Sequence, residues 1–360
     1  MNKKIRVLQL IDSLHAGGAE VLAVNIANAL SNEGVESHLC ATRNEGPLKE
    51  YIEPAVQYLF LKRKKTVDIK VIKKLINYIK KNNISIIHAH STSYFLAICV
   101  KLMHRKLKVI WHNHTGNYVY LRSPKLFFLK ACAIHMNYII SVNEDLDFWS
   151  KTVLKNTKGS AVRNFPVFTN LQKDTKLFGK KGKKILCIAG YRKEKDHINL
   201  LKAFLVVLKK DARCTLHLIG KNYHDVYGES IHNFIINEKL EDRVFQYDLC
   251  CDIKNILNQA DIGVLSSESE GLPISLLEYG LAKLPVVVTD VGDCARVVKN
   301  KAVVVPAKKS DTLANAIISL INDKVLREKV ASELHAEVLK NYSIKRSVKK
   351  IMNIYKKLLC

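Results

Sequence analysis

The sequence lacks several features that define common classes of protein. It has no apolar run of the roughly 18 residues that a membrane-spanning helix needs, and the apolar stretch of the opening segment MNKKIRVLQLIDSLH has only strand length and breaks at Asp12. We therefore expect no signal peptide and a soluble cytoplasmic protein. The nine cysteines are scattered and form no CxxC or CxH cluster, which argues against a disulfide framework or a zinc finger. Sequence neighbours such as Cys250 and Cys251 rarely satisfy disulfide geometry.

Acidic residues are also scarce, with 33 Asp and Glu against 58 Lys and Arg, which gives a net charge of +25. Such an excess raises the local concentration of phosphates, anionic lipids or nucleic acids without choosing among them. The sequence contains no recognised nucleic-acid-binding module, and its basic stretches lack the stacking aromatic pattern of single-strand binders. Nucleic-acid binding is therefore kept as an alternative, and we expect no nucleic-acid partner.

A length of 360 residues and an apolar content of 48% suit two hydrophobic cores of ordinary size. Two series of short apolar strands run along the chain, and many of the strands are followed by a turn or a helical pattern. The first series is KIRVLQLID, VESHLCAT, AVQYLFL, ISIIHAH, KVIWHNH and YIISVN, and the second is KILCIAG, CTLHLIG, RVFQYD, ADIGVLSS, LPVVVTD and KAVVVP. This alternation predicts an α/β protein in which two parallel sheets are covered on both faces.

The predicted domains are residues 1–170 and 181–341, and the lysine-rich segment KDTKLFGKKGKK is the candidate linker. The tail over 342–360 has the pattern of an amphipathic basic helix, which we expect to pack back on the first domain. In open α/β sheets, ligands bind in the crevice at the carboxyl ends of the strands. Binding residues are therefore expected just after strands.

The stretch SESEGLPISLLEYG predicts an anion-binding helix end. Pro273 suits the first helical position, and Gly271 and Leu272 then occupy the cap region without a side-chain oxygen for the first N–H groups. Uncapped donors and the helix dipole favour a phosphate at the amides of Ile274 and Ser275.

Two carboxylates flank this helix end. Glu270 precedes the turn and Glu278 lies one helical turn after it, so both can reach groups attached to a bound phosphate. Carboxylates accept paired hydroxyls, as on a ribose or a hexose. The alternative is that Glu270 is solvated and Glu278 pairs with a lysine.

The longer pattern ADIGVLSSESEGLPISLLEYGLAKLPVVVTDVGD resembles the retaining glycosyltransferases of the GT4 type. The resemblance implies the GT-B fold, in which two Rossmann-like domains face a central cleft. It also implies that Glu270 contacts hydroxyls of the transferred sugar and that Glu278 holds the nucleotide ribose. The diphosphate then falls on the backbone around the glycine and the helix start, at Gly271, Leu272, Ile274 and Ser275.

The segment AGYRKEKDHINLLKAF follows a strand and resembles the basic element that binds the donor phosphates in this family. By that resemblance Arg192 and Lys195 neutralise the diphosphate as charge grows on the leaving nucleotide. The commonest family pattern has an arginine where this chain has Gly190, so Lys195 is the firmer assignment. The alternative is a solvated lysine-rich turn.

HAGGAE resembles the family's glycine loop, in which the amides of Gly17 and Gly18 approach the donor phosphate. A dinucleotide-binding fold is disfavoured, because GxGxxG is absent and Arg43, with no acid at the ribose position, follows the second strand.

WHNHTGN places His112 and His114 at a strand end, on one face of the strand. They could be metal ligands, core residues or a sugar contact, and the lack of a third ligand at suitable spacing counts against zinc. The resemblance implies that one of the two contacts the transferred sugar, and His114 aligns better. His88 and His90, in IIHAHS, are predicted to have a structural role.

The resemblance therefore implies a retaining glycosyltransferase that uses a nucleotide-diphosphate sugar and needs no metal or other cofactor. The basic stretches LKRKK, VIKKLINYIKK and YVYLRSPKLFFLK (118–130) in the first domain suit docking on anionic lipid. We expect a lipid-linked or polysaccharide-precursor acceptor in cell-surface glycan synthesis, and a peripheral location on the inner face of the cytoplasmic membrane. A related enzyme such as a sugar-nucleotide epimerase is a further alternative.

Overall fold

The computed structural model describes residues 4–15, 17–114, 123–156, 158–168, 175–248, 250 and 252–360. Contacts within the chain define two units, one of Met1–Phe165 with Ile344–Cys360 and the other of Pro166–Ser343. Of the described helices, none is both long enough and apolar enough to cross a bilayer.

The first unit contains a parallel sheet of seven strands in the order β3-β2-β1-β4-β5-β6-β7. The strands are β1 (Arg6–Ser13), β2 (Glu36–Asn44), β3 (Gln57–Phe60), β4 (Ile86–His90), β5 (Lys108–Asn113), β6 (Tyr138–Ser141) and β7 (Gly159–Ala161). The helices between them are α1 (Gly18–Asn32), α2 (Ile69–Lys81), α3 (Tyr94–Met103), α4 (Ser123–Ala133) and α5 (Glu144–Val153). The central strands are buried on both faces, which explains why they read as nearly continuous apolar runs.

The second unit contains a parallel sheet of six strands in the order β10-β9-β8-β11-β12-β13. The strands are β8 (Lys184–Ile188), β9 (Thr215–Ile219), β10 (Val244–Tyr247), β11 (Ile262–Leu265), β12 (Val286–Thr289) and β13 (Val303–Val305). The helices are α6 (His197–Lys210), α7 (Val226–Asn237), α8 (Ile253–Gln259), α9 (Ile274–Leu281), α10 (Cys294–Val298), α11 (Ser310–Asn322) and α12 (Lys324–Asn341). The predicted two parallel-sheet α/β units are confirmed.

In both sheets the strand order reverses beside the first strand of the unit. β1 lies between β2 and β4, and β8 lies between β9 and β11. The connections on the two sides of such a strand leave the sheet in opposite directions, which opens a crevice at the carboxyl ends. The crevice of the second unit is therefore expected between the loops that follow β8 and β11.

The last helix, α13 (Ile344–Leu359), belongs to the first unit. Its buried positions Val348, Ile351 and Tyr355 repeat at helical spacing, so they form one apolar stripe. The hydroxyl of Ser347 donates to the carbonyl oxygen of Arg163 (2.9 Å). The stripe and this hydrogen bond attach to the first sheet a segment that follows the entire second unit in sequence.

Part of the predicted linker packs on the second unit. Leu177 is buried among the side chains of that unit, and the Thr175 hydroxyl donates to Asp252 (2.7 Å). The contacts divide the chain between Phe165 and Pro166, a few residues before the position expected from composition.

Candidate functional site

Two neighbouring strands of the second unit bring the predicted charged residues together. β8 leads into a short 3-10 turn over Lys193–Lys195, and β11 leads into the loop that carries Glu270. Because β8 and β11 are paired in parallel, their carboxyl ends lie side by side. We call Lys195, Glu270, Glu278 and the amino end of α9 the β8–β11 site.

Lys195 and Glu270 form the central contact of this site. The Lys195 Nζ donates to both carboxylate oxygens of Glu270 at 2.7 Å. The Ser267 hydroxyl donates to Glu270 Oε1, also at 2.7 Å. The side chain of Glu270 is only 6% exposed and that of Lys195 is 22% exposed, so the pair is largely withdrawn from water. Glu270 is therefore not a solvated carboxylate, and the lysine partner belongs to Glu270 and not to Glu278.

Residues that the sequence did not single out hold this loop in place. The Ser266 hydroxyl donates to the carbonyl oxygens of Lys195 and Asp196, which joins the two loops directly. At the end of β12, the Thr289 hydroxyl donates to the Ser267 carbonyl at 2.7 Å. Gly292 has a φ of +55°, and a Cβ there would collide with the Glu270 carbonyl oxygen. Gly292 is part of the segment LPVVVTDVGD that carried the family resemblance, but its contact with Glu270 was not predicted from the sequence.

The amino end of α9 differs from the prediction by one residue. The helix begins at Ile274, and Pro273 is the N-cap residue with an extended ψ of 125°, not the first helical residue. Proline restrains the residue before it away from helical conformation, but its own ψ is unrestricted, which allows this position. No side chain in the described residues caps the helix, so Ile274 and Ser275 begin it with the orphan N–H groups of a helix start. Gly271 and the buried Leu272 precede it.

Glu278 is buried one turn into α9, with 8% of its surface exposed. Burial removes water from the carboxylate and raises the pKa of Glu278 to about 7. Such a carboxylate is stabilised by any hydroxyl pair that donates to it, because those hydrogen bonds replace the lost water.

Arg192 and Gly190 lie on the same loop after β8. The Arg192 Nη2 donates to the Tyr223 hydroxyl at 2.7 Å, and its guanidinium lies over the Tyr223 ring at 5.3 Å. A Cβ at Gly190 would make only ordinary contacts, of 3.8 Å and more, so no steric constraint keeps a glycine there.

The glycine loop of the first unit follows β1. Gly17 is the extended N-cap residue of α1, and Gly18 is the first helical residue, again without a side-chain cap among the described residues. Gly46 packs so closely on this loop that a Cβ would press against the backbone of Leu14 and His15. Gly46 was not predicted from the sequence. Ala16 lies outside the described residues.

Four histidines lie together on one face of the first sheet: His88 and His90 on β4, and His112 and His114 at the end of β5. His88 Nε2 lies 3.2 Å from His112 Nδ1, and His90 Nδ1 lies 3.0 Å from His114 Nε2. The two hydrogen-bonded pairs stack on one another, with ring centroids 4.7 Å apart on β4 and 4.2 Å apart on β5. We call these residues the imidazole cluster.

The spacing argument against a metal is wrong. A third histidine is present in space, because nitrogens of His88, His90 and His112 all lie within 4.8 Å of one another. Spacing along the chain did not reveal this, since the pairing of β4 with β5 creates the proximity. His88 and His90 are fully buried, as a structural role would require, but they also contact both members of the predicted sugar-binding pair.

The structure thus groups the predicted residues within each unit. Lys195, Glu270, Glu278 and the start of α9 occupy the β8–β11 site, and His112 and His114 belong to the imidazole cluster. Residues 115–122, which include part of the predicted basic stretch 118–130, lie outside the described residues, as does Cys251.

Comparison with known proteins gives two matching families, one for each unit. The family described as Glycosyltransferase Family 4 matches residues 16–145, and that described as Glycosyl transferases group 1 matches residues 169–335. An Escherichia coli relative, UDP-Gal:alpha-D-GlcNAc-diphosphoundecaprenol alpha-1,3-galactosyltransferase, is 23% identical over 98% of this chain and 96% of its own. A Staphylococcus aureus poly(ribitol-phosphate) alpha-N-acetylglucosaminyltransferase is 23% identical over 70% of this chain and 50% of its own.

Solved structures with the same fold include Anabaena HepE in complex with UDP and glucose, with a TM-score of 0.80, 17% identity and coverage of 97% of this chain and 98% of that one. A Rickettsia africae glycosyltransferase superposes with a TM-score of 0.74 at 18% identity, over 99% of both chains. Two Rossmann-like parallel-sheet units with these neighbours show the GT-B fold, and the two family matches make the protein a glycosyltransferase. Within that class, the chain belongs to the GT4-type family, glycosyltransferase group 1.

Proposed function

We propose that this enzyme transfers a sugar from a nucleoside diphosphate sugar to an acceptor hydroxyl with retention of the anomeric configuration. The observation that carries the proposal is the β8–β11 site, where a lysine and two buried carboxylates surround an uncapped helix start. A site of this kind offers positive charge and N–H donors to a diphosphate, and carboxylate acceptors to hydroxyls on both sides of it.

In this proposal the leaving diphosphate binds at the amides of Ile274 and Ser275 and at the Lys195 ammonium. Negative charge grows on the diphosphate as the glycosidic bond breaks, so these groups stabilise the transition state more than the ground state. Arg192 adds a second cation from the same loop. Lys195 must then exchange part of its contact with Glu270 for the phosphate oxygens.

The two carboxylates have different partners in the proposal. Glu278 accepts from the ribose hydroxyls, and its buried position makes that contact favourable. Glu270 accepts from hydroxyls of the transferred sugar once Lys195 turns to the diphosphate. In the first unit, the amides of Gly17 and Gly18 approach the phosphate and His114 contacts the sugar.

The names of similar proteins indicate which donor and acceptor to propose for this enzyme. The Escherichia coli relative is named for a UDP-galactose donor and a diphosphoundecaprenol acceptor, and HepE was solved with UDP. We therefore infer a UDP-sugar donor and a lipid-linked acceptor in the synthesis of a surface glycan, with no metal or other cofactor required.

The surface of the first unit supports our proposal that the enzyme docks on an anionic membrane. Phe127 on α4 and Ile134, the residue after α4, are 76% and 81% exposed, and Phe148 on α5 is 69% exposed. Lys125 and Lys130 lie on α4 with Phe127. Exposed aromatic and aliphatic side chains beside lysines insert at a lipid interface while the cations bind anionic headgroups, each contributing about 1 kcal/mol.

The test begins with thermal unfolding in the presence of UDP, GDP and ADP sugars, followed by transfer to lipid extracts. We expect one nucleotide class, UDP, to stabilise the protein, and NMR of the product to show the donor's anomeric configuration. An inverted product would refute the retaining mechanism. Turnover of the nucleotide sugar without an acceptor would support an epimerase, and salt-sensitive binding of nucleic acid without transfer would support a nucleic-acid-binding protein.

A further inference from the structure

The imidazole cluster is connected at one end to two polar side chains, Gln9 on β1 and Tyr355 on α13. The Gln9 Nε2 donates to the Tyr355 hydroxyl (3.1 Å), and the Gln9 Oε1 lies 2.8 Å from His90 Nε2. The Tyr355 hydroxyl lies 2.7 Å from His88 Nδ1. Gln9 and Tyr355 are themselves fully buried, so the direction of each hydrogen bond can be followed without a contribution from bulk water.

The first chain runs from Gln9 through His90 to His114. An amide oxygen only accepts, so His90 Nε2 carries the proton and His90 Nδ1 has the lone pair. That lone pair, 3.0 Å from His114 Nε2, requires the proton of His114 to be on Nε2. The Nδ1 of His114 is then a hydrogen-bond acceptor.

The second chain runs from Tyr355 through His88 to His112. Gln9 Nε2 can only donate, so of these two partners of the Tyr355 hydroxyl only His88 Nδ1 can accept its O–H, and His88 Nε2–H then donates to His112 Nδ1. His112 therefore carries its proton on Nε2, an atom that is buried and has no hydrogen-bond partner in the described part of the chain. His112 is only 1% exposed, whereas His114 is half-buried.

All four rings are neutral at physiological pH, as this arrangement requires. Burial lowers the pKa of His88 and of His114 to about 3, and it lowers the pKa of His90 and of His112 well below the ordinary value. The facing nitrogens within each pair are already joined by one shared proton. A metal ion would have to displace those protons, and its ligands would come from rings in two stacked layers.

We propose that Gln9 and Tyr355 are positioning residues for sugar transfer: together they fix a single tautomer of the imidazole cluster, so that His114 presents its Nδ1 lone pair to a hydroxyl of the sugar. The inference rests on the proposed sugar contact of His114. It also distinguishes the two candidate histidines, because His112 is covered and offers a donor, while His114 is accessible and offers an acceptor.

The full-length protein, labelled with ¹⁵N only at histidine, provides the direct test. The ¹⁵N shift of an imidazole nitrogen reports whether it carries a proton. The His114 signals are assigned by their loss in His114→Gln. We expect wild-type His114 to show a protonated Nε2 and an unprotonated Nδ1. A proton on Nδ1, or an even mixture, would overturn the inference even if neither Gln9→Leu nor Tyr355→Phe folded.

Two variants and a control then test the positioning role. Tyr355→Phe removes the hydroxyl that orients the Gln9 amide, and Gln9→Leu removes the acceptor for His90. We expect both to give mixed His114 tautomers and to lower kcat about tenfold with the donor KM within about twofold, as for the outer partners of other fixed histidines. Tyr78→Phe is the matched control, because Tyr78 bonds buried His38 at 2.9 Å in the same unit, outside the cluster.

The outcomes separate this inference from the proposed function. If wild type transfers sugar and both variants keep wild-type kcat, the positioning role is wrong while the function stands. If wild type transfers no sugar from any nucleotide, the proposed function fails, and the tautomer result stands on its own. Stoichiometric metal in the purified enzyme that is lost in His88→Asn would overturn the shared-proton arrangement, since the same nitrogens would be metal ligands.

Discussion

The candidate residues of the two units differ in position and in charge: a charged pair lies on loops in the second unit, and a neutral cluster lies on or just beyond strands in the first. In the second unit, Lys195 and Glu270 are charged, lie on loops after β8 and β11, and neutralise each other. In the first unit, the imidazole cluster is neutral and lies on or just beyond the strands β4 and β5, with His88, His90 and His112 buried in the core. The comparison indicates that the loops can exchange partners when a ligand arrives, whereas the cluster is fixed before it.

The largest expected difference between the units is their response to acid. In the unfolded chain these histidines have the ordinary pKa, whereas in the folded cluster their pKa is lower. As the pH falls, the unfolded chain therefore binds protons that the folded cluster does not. Stability from the cluster is complete above the ordinary histidine pKa and is lost as the pH falls towards the folded values of about 3. One pH unit below the ordinary value, the loss is about 1 kcal/mol for each imidazole.

Hydrogen exchange at several pH values, corrected for the intrinsic rate, measures this difference. Peptides from β4 and β5 should lose protection between about pH 7 and about pH 5.5. The second unit is the internal comparison, because burial lowers the pKa of two histidines there, His197 and His217, to about 4, and Glu278 acts in the opposite sense. Equal loss of protection in both units would contradict the prediction.

Lys195→Met tests whether the charged pair is catalytic. We expect kcat/KM to fall by a factor that corresponds to about 3 kcal/mol of lost transition-state stabilisation, because the growing charge on the diphosphate loses its cation. Lys308→Met is the matched control: Lys308 pairs with Glu268 on the same loop at 2.9 Å but is 65% exposed, so its loss should cost well under about 1 kcal/mol. Similar kinetics in the two variants would move the catalytic role away from Lys195.

Glu278→Gln is expected to stabilise the empty enzyme and to weaken nucleotide binding. The folded pKa of about 7 is above that of an ordinary glutamate, so Glu278 costs no stability below the ordinary value and costs more as the pH rises through 7. At about pH 8 the variant should gain about 2 kcal/mol of unfolding free energy. Urea unfolding and UDP titration of both proteins measure the two effects. Unchanged UDP affinity would argue against the ribose contact.

Gly292→Ala tests whether the loop of Glu270 must be held from β12. The positive φ and the collision with the Glu270 carbonyl should together cost about 1–2 kcal/mol of stability and shift the carboxylate. Gly190→Ala is the control, since its Cβ meets only ordinary contacts. We expect thermal unfolding and kcat of Gly190→Ala to match wild type. A tolerated Gly292→Ala would show that the loop adapts without loss.

The sequence was sufficient for the fold class and for the composition of the β8–β11 site. Strand-length apolar runs predicted both sheets, and motif spacing along one loop identified Glu270 and Glu278, because residues on a single turn keep their relation whatever surrounds them. The start of α9 was misplaced by one residue, since proline permits both the first helical position and the N-cap.

Contacts that depend on strand register were not predictable. His88 and His112 are 24 residues apart, and they meet because β4 pairs with β5 in one register and not another. Gln9 joins them because it is paired with His88 across β1 and β4, and Tyr355 comes from the far end of the sequence. Nothing in local pattern encodes such pairings, which is why two neutral polar residues escaped notice.

Tyr355 and the rest of α13 also have a consequence for biosynthesis. The ribosome completes all of Pro166–Ser343 before it synthesises the helix that covers the sheet of the first unit. The second unit can therefore finish folding while the first still exposes an apolar face and an unanchored set of histidines. The first unit is therefore the first to begin synthesis and the last to complete its fold.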